Sequence, residues 1–95
     1  MTLVTWAPQA LNDLRSIRSY LDENAPQLTR NTFQLIAHRA RQLRDFPDSG
    51  PSVGRTGLRK LSIIGLPYLL IYRAAVSGTE IVAVRHSSQN WLRDL

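Results

Sequence analysis

The chain has 95 residues and a formal charge of +5, which sets it up as one domain, 1–95, with a small core. It has no cysteine, so disulfides, thiolate catalysis and Cys-based zinc sites are excluded together. No apolar run reaches the length of a membrane span and no basic-then-apolar leader opens the chain, so a soluble cytoplasmic protein is expected.

Thr2 to Thr5 reads as a short extended segment tucked into a sheet. Pro8 then suits the first position of a helix, where its missing N–H costs nothing. Leu11, Leu14, Ile17 and Leu21 recur at spacings of three and four, extended by Ala7 and Tyr20, and form one apolar stripe. Asp13, Arg15, Ser16, Arg18 and Asp22 are expected to face elsewhere. Pro26 pushes Ala25 out of the helical region and ends this helix near Asn24. The same proline opens a second helix reaching about Phe46, with Phe33 (or Thr32), Ile36, Ala40 and Leu43 inward and Pro47 as the stop. So tight a connection makes the two helices antiparallel neighbours. Leu28 and Leu35 lie off the main stripe, where they would line an apolar groove.

Residues 47–57, rich in Gly, Pro and Ser, carry turn chemistry without periodicity. Leu58 to Ile64 alternates as a strand, Leu61 and Ile63 on one face, Lys60 and Ser62 on the other. Gly65-Leu66-Pro67 turns the chain into Tyr68–Ala74, a nearly continuous apolar run of the kind found in a central strand. Ser77-Gly78-Thr79 closes a hairpin onto Glu80–His86. Connections this short force antiparallel pairing. The predicted class is α+β: an N-terminal antiparallel helical hairpin packed on a small, mainly antiparallel sheet.

Charge is distributed unevenly. Through Ala37 the two signs balance, whereas from His38 to His86 Arg39, Arg41, Arg44, Arg55, Arg59, Lys60, Arg73 and Arg85 face only Asp45, Asp48 and Glu80. Such an excess suits an acidic partner surface, and arginine binds carboxylates or phosphates in bidentate fashion. His38 sits among arginines as a solvated helix residue. His86 ends a strand, within reach of Arg73 or Tyr68 across the sheet. With one histidine there and no acidic pair beside it, no metal site is expected. Neither Ser87 nor Ser88 stands at a strand-to-helix elbow, so a serine triad has no support. Gly50, Gly54 and Gly57 lack the spacing of a phosphate loop. A metal-free ribonuclease needs a base, a cation for the phosphate and an acid; Arg59, Lys60, Arg73, His86 and Tyr68 include those types. The structural alternative makes Arg59 and Lys60 a solvated face and packs Tyr68 and Tyr72 against the helices. Trp6 closes a core edge, and Trp91 either packs on the sheet or presents a contact.

Several runs taken together resemble the ParE/RelE superfamily of toxins from bacterial type II toxin–antitoxin modules. They are Trp6-Ala7-Pro8-Gln9-Ala10-Leu11-Asn12-Asp13-Leu14 with Ile17 and Tyr20-Leu21, then Leu43-x-x-Phe46-Pro47, Gly54-Arg55 and Gly57-Leu58-Arg59, then Pro67-Tyr68-x-x-x-Tyr72-Arg73, and His86 with Trp91. The resemblance implies a growth-inhibiting toxin, without cofactor or metal, held in a hetero-oligomer by a cognate antitoxin (ParD-like or related). The antitoxin would fill the groove beside the hairpin and add contacts along the sheet, with Leu28, Leu35, Arg39 and Lys60 as its contacts; DNA would be met only through the antitoxin. RelE-like relatives cleave mRNA on the ribosome, and ParE-like relatives poison DNA gyrase.

Lys60 matches one basic position of the nuclease pattern. Ser62 stands where a second lysine belongs, Leu69 where an arginine follows the tyrosine, and Ser87-Ser88 where a basic or tyrosine-bearing end belongs. Each lost cation removes several kcal/mol of transition-state stabilisation, so the chain is similar to the ParE-like branch, a protein inhibitor of a topoisomerase. Target contacts are then expected at Arg55, Arg59, Arg73, Arg85 and Trp91. In the mRNA-endonuclease alternative, Arg59, Lys60, Arg73 and His86 would be catalytic. Gln89 stands where this branch often has arginine, which opens a third reading, a basic binding module that has lost toxicity.

Overall fold

The computed structural model describes residues 3–88, arranged as β1 (Leu3–Trp6), α1 (Pro8–Asn24), α2 (Pro26–Gln42), β2 (Arg59–Ser62), β3 (Tyr68–Ala75) and β4 (Gly78–His86). The four strands form one mixed sheet in the order β1-β4-β3-β2. β1 runs parallel to β4, from Leu3 opposite Gly78 to Trp6 opposite Ile81, and the other pairings are antiparallel. The α+β class and the helical hairpin of the sequence reading are therefore present.

Pro8 and Pro26 each occupy the start of a helix, and neither helix has a side-chain cap. Ala25 is the whole connection between them, with its N–H bonded to Leu21 O at 2.7 Å. On α1 the inward face is Ala10, Leu14, Ile17 and Leu21, with Ala10 and Leu21 buried. Leu11, expected on that stripe, is 41% exposed, and Tyr20 is 61% exposed. The spacing of four, three and four from Ala10 holds one face of a helix, and the small alanine lets α1 lie close to β4.

α2 ends at Gln42, short of the predicted Phe46. Its last turn tightens: Leu43, Arg44 and Asp45 donate to the carbonyls three residues back, at 3.1–3.2 Å. That is the usual way for a helix to run out ahead of a restricted pre-proline residue. Thr32, Ile36, Ala40 and Leu43 are buried, Phe33 is half-buried, and Phe46 stays exposed.

The main core lies between helices and sheet: Ala10, Ile36, Ala40 and Leu43 meet Leu61, Ile63, Leu70, Tyr72, Ile81 and Val84. A bulge between Ile71 and Tyr72 offsets the β3–β4 register. Leu69, Ile71 and Ala83 make a smaller cluster of their own, with Leu58 packed on it. The β2 strand, Arg59–Ser62, is shorter than the predicted 58–64; just outside it Leu58 O accepts the Val53 N–H, and Ile63 N–H continues the register to Tyr68 O before the turn. The β3–β4 turn centres on Val76 and Ser77, one residue earlier than expected, with Gly78 at φ 146° against the backbone of Leu3.

Both sheet edges are guarded, as an open edge invites pairing with other chains. β2 is flanked by Ser52 and by Lys60 N–H bonded to Pro51 O, and Arg39 Nε donates to Ser62 O at 2.8 Å. Beyond Ile81, where β1 stops, Asp13 Oδ2 accepts the Val84 N–H at 2.9 Å.

Candidate functional site

An open groove of 770 Å³ separates the helical hairpin from one end of the sheet. Ile17, Tyr20, Leu21 and Leu28 form its apolar wall, and Tyr68, Arg85 and His86 stand opposite. Tyr20 and Leu28, 61% and 49% exposed, form its rim. Two short helices cannot cover a four-stranded sheet completely, and the uncovered strip is here.

Tyr68 and His86 are direct cross-strand partners, with ring centroids 5.7 Å apart in an edge-to-face arrangement. His86 thus meets Tyr68, one of the two partners the sequence allowed. The Ser88 N–H donates to His86 Nδ1 at 3.1 Å, which makes Nδ1 an acceptor, and Ser88 Oγ lies 2.6 Å from the same nitrogen. Burial, and then the nearby Tyr20, push the Tyr68 hydroxyl above its ordinary value of 10.0. Tyr68 is accordingly a neutral hydrogen-bonding group and a poor general base at neutral pH.

The sign of this shift carries a prediction. The folded state holds the Tyr68 proton more tightly than the unfolded state, so this stabilisation is complete below the ordinary tyrosine range. It fades as pH climbs through about 10 and above. Urea unfolding across that alkaline window should show stability falling with pH, and Tyr68→Phe should flatten the slope; an unchanged slope would refute the assignment.

Arg85 and Asp13 form an ion pair on the sheet-side wall, Nη1 to Oδ1 3.5 Å, with the side chains only 13% and 10% exposed. Besides Val84 N–H, Asp13 accepts Gln9 Nε2 at 2.9 Å. It was expected to face away from the stripe. Its position three residues after Ala10 and four before Ile17, on the stripe's margin, was the signal that placed it otherwise.

The other sequence candidates are scattered. Leu28 lines the groove, whereas Leu35 packs against the core. Arg59 Nη1 donates to Gly50 O at 2.7 Å and its Nη2 lies 3.6 Å from Asp48, latching the loop after α2. Arg73 is paired with Glu80 at 2.9 Å. Arg39 braces Ser62 and Gln42. Lys60 and Arg55 are exposed on β2 and on the preceding loop. Trp91 and Gln89 lie outside the described residues. Lys60 is opposite Ile71 and His86 is opposite Tyr68, three residues along and two strands apart, which is roughly 14 Å. Arg59, Lys60, Arg73 and His86 therefore do not converge on one phosphate.

Among the described residues no group of three or more His, Asp or Glu is placed to hold a metal ion, and no helix is long and apolar enough to cross a membrane.

The family model for the ParE toxin of the type II toxin–antitoxin system parDE matches residues 4–91. A curated Sinorhizobium fredii protein, "Putative toxin Y4kP", is 27% identical over 88 residues, covering 93% of this chain and 91% of the relative. A chain from the solved chromosomal ParDE toxin–antitoxin system of P. aeruginosa superposes with a TM-score of 0.78 at 20% identity. That match covers 90% of this chain and 96% of the other, a likeness of fold.

Proposed function

The chain belongs to the ParE toxin family of type II toxin–antitoxin systems, and on that premise we propose that it arrests growth by binding DNA gyrase and is neutralised by a cognate antitoxin. The observation that carries the choice of target is the dispersal of the cationic side chains. Arg59, Arg73 and Arg85 are each engaged by a carboxylate within the fold. Where a nuclease site would add cations, Ser62 faces the buried Leu69 across β2 and β3. Preorganised positive charge aimed at one phosphate is the largest lever in metal-free RNA cleavage, and this sheet does not assemble it. Inhibition by protein–protein contact requires no such centre. Arg55, Arg59, Arg73, Arg85 and Trp91 remain the proposed gyrase contacts, of which Arg55 and Arg73 are exposed.

The antitoxin reading rests on the groove, whose apolar wall and open rim suit an amphipathic segment. Leu28 is the proposed contact there, with Leu35, Arg39 and Lys60 along the hairpin and β2. With these two proposed partners the toxin would act in the cytoplasm, in a hetero-oligomer, with DNA reached through the antitoxin.

Purified toxin should block gyrase supercoiling and accumulate cleaved DNA, and both effects should vanish when antitoxin is added. Gyrase unaffected by a stoichiometric excess of toxin would refute the target. The ribosome-dependent endonuclease is kept as a second reading by one observation, the exposed Lys60 on the outer face of β2. It predicts cuts in ribosome-bound mRNA that Lys60→Ala abolishes, and growth arrest without such cuts would remove it.

A further inference from the structure

We infer that the outer face of α2, from Arg30 to Arg44, is a contact surface for the phosphate backbone of duplex DNA. The toxin then touches DNA with its own side chains once a partner has brought it there, which goes beyond the reading above.

Two shallow hollows of 630 and 270 Å³ lie along this helix and adjoin at Ala37. Arg18 and Arg30 line the first beside Phe33, and Arg41 and Arg44 line the second beside Trp6. Neither hollow shares a residue with the groove between hairpin and sheet, so a segment filling that groove need not cover this face. On a helix rising about 1.5 Å per residue, Arg30 and Arg41 stand roughly 16 Å apart, close to three turns, and so point to one side. Each strand of duplex DNA repeats its phosphates about every 3.4 Å of axis, and a row of that length meets several of them.

Arg30, Arg41 and Arg44 are exposed, and no described carboxylate forms an ion pair with Arg30 or Arg41. Among the described residues, the one acidic side chain lining either hollow is Asp22, which lies 3.8 Å from Arg18. Arg41, in the last turn of α2, complements the negative end of the helix. Arg30, toward the other end, gains nothing of the kind, so helix stability does not account for the row.

A protein partner would need large apolar anchors at the centre of its contact. The exposed ones, Leu28, Phe46, Ile64 and Val76 among them, lie elsewhere, and Phe33 and Trp6 are half-buried. Phosphate contacts need cations alone, and arginine holds a phosphate through two parallel bonds. The net charge of +5 draws the same polyanion from a distance.

The test uses the full chain and a random-sequence DNA duplex, with affinity read by fluorescence anisotropy across a salt series. It contains neither gyrase nor antitoxin, so its failure leaves the target and antitoxin readings where they stand. Arg30→Gln combined with Arg41→Gln should weaken binding about tenfold or more at low salt and lower the log–log salt slope by about two. Glutamine suits an exposed helix position nearly as well as arginine, and thermal melts check that folding is kept. Arg30→Lys with Arg41→Lys retains the charge and should retain the slope. Arg55→Gln with Lys60→Gln removes equal charge elsewhere and should leave the slope near that of the parent. A parent chain that does not bind the duplex at low salt would overturn the inference, as would an unchanged slope for the glutamine pair on α2. An equal fall in both glutamine pairs would overturn it too, since net charge alone would then be responsible. If the α2 pair binds DNA like the parent but loses affinity for antitoxin or gyrase in separate titrations, the face is a protein contact and the inference falls.

Discussion

Replacing Asp13 with alanine is expected to cost about 3 kcal/mol of folding stability, the scale of breaking a buried ion pair by removing one partner. Three losses combine at this position. Val84 N–H loses its acceptor at the end of β4 that β1 does not reach. Gln9 loses the acceptor four residues along α1. Arg85 is left charged, largely enclosed and without its carboxylate. Chemical denaturation of the two proteins measures the difference. Asp13→Asn should be milder, since an amide oxygen can still accept the Val84 N–H. A change below about 0.5 kcal/mol for Asp13→Ala, the scale of an ordinary surface substitution, would show that the pair does not hold α1 to the sheet.

The second large effect is expected at Gly50. Its backbone is buried against β2, and a Cβ there would overlap the Lys60 carbonyl and crowd the Tyr72 hydroxyl. The Gly50 N–H is bonded to that hydroxyl at 2.8 Å, and its carbonyl accepts Arg59 Nη1. Gly50→Ala therefore overpacks the site and pulls apart two hydrogen bonds. The cost should be about 3 kcal/mol, a fall in Tm on the order of 12 °C or more for a domain of this size. Tyr72→Phe isolates one part of this: it leaves the N–H without an acceptor and should cost about 1–3 kcal/mol. If Gly50→Ala melts with the parent, the loop is not anchored as described. Arg59 bears on function here, because a guanidinium that clamps residues 48–50 is less available to a target than one free on the surface.

Much of this architecture is legible in the residues. Pro8 and Pro26 mark both helix starts, the apolar run from Tyr68 marks the central strand, and Leu61 and Ile63 point inward as their alternation requires. What escaped depended on distance or on competition between neighbours. The inward face of α1 is set by how closely it approaches β4, which selects the small Ala10 over Leu11. The end of α2 is decided by hydrogen bonds that tighten before Pro47. Leu28 and Leu35 look equivalent by composition, yet only the first reaches the groove, because the groove exists only once the hairpin is laid on the sheet. Asp13 reads as one more polar helix residue until β4, 71 residues later in the chain, supplies the Val84 N–H for it.

The parallel union of β1 with β4 has a consequence for synthesis. Leu3 finds its neighbour only when Gly78 exists, so β1 waits for β4. Such distant pairings are slow to form and follow the local helical structure. A nascent chain lacking β4 has nothing to cover the inward side of α1 and no lattice of amides for β1 to join. Products truncated before β4 should therefore be unfolded rather than partly folded, since neither the helices nor β1 has its partner until Gly78–His86 is present.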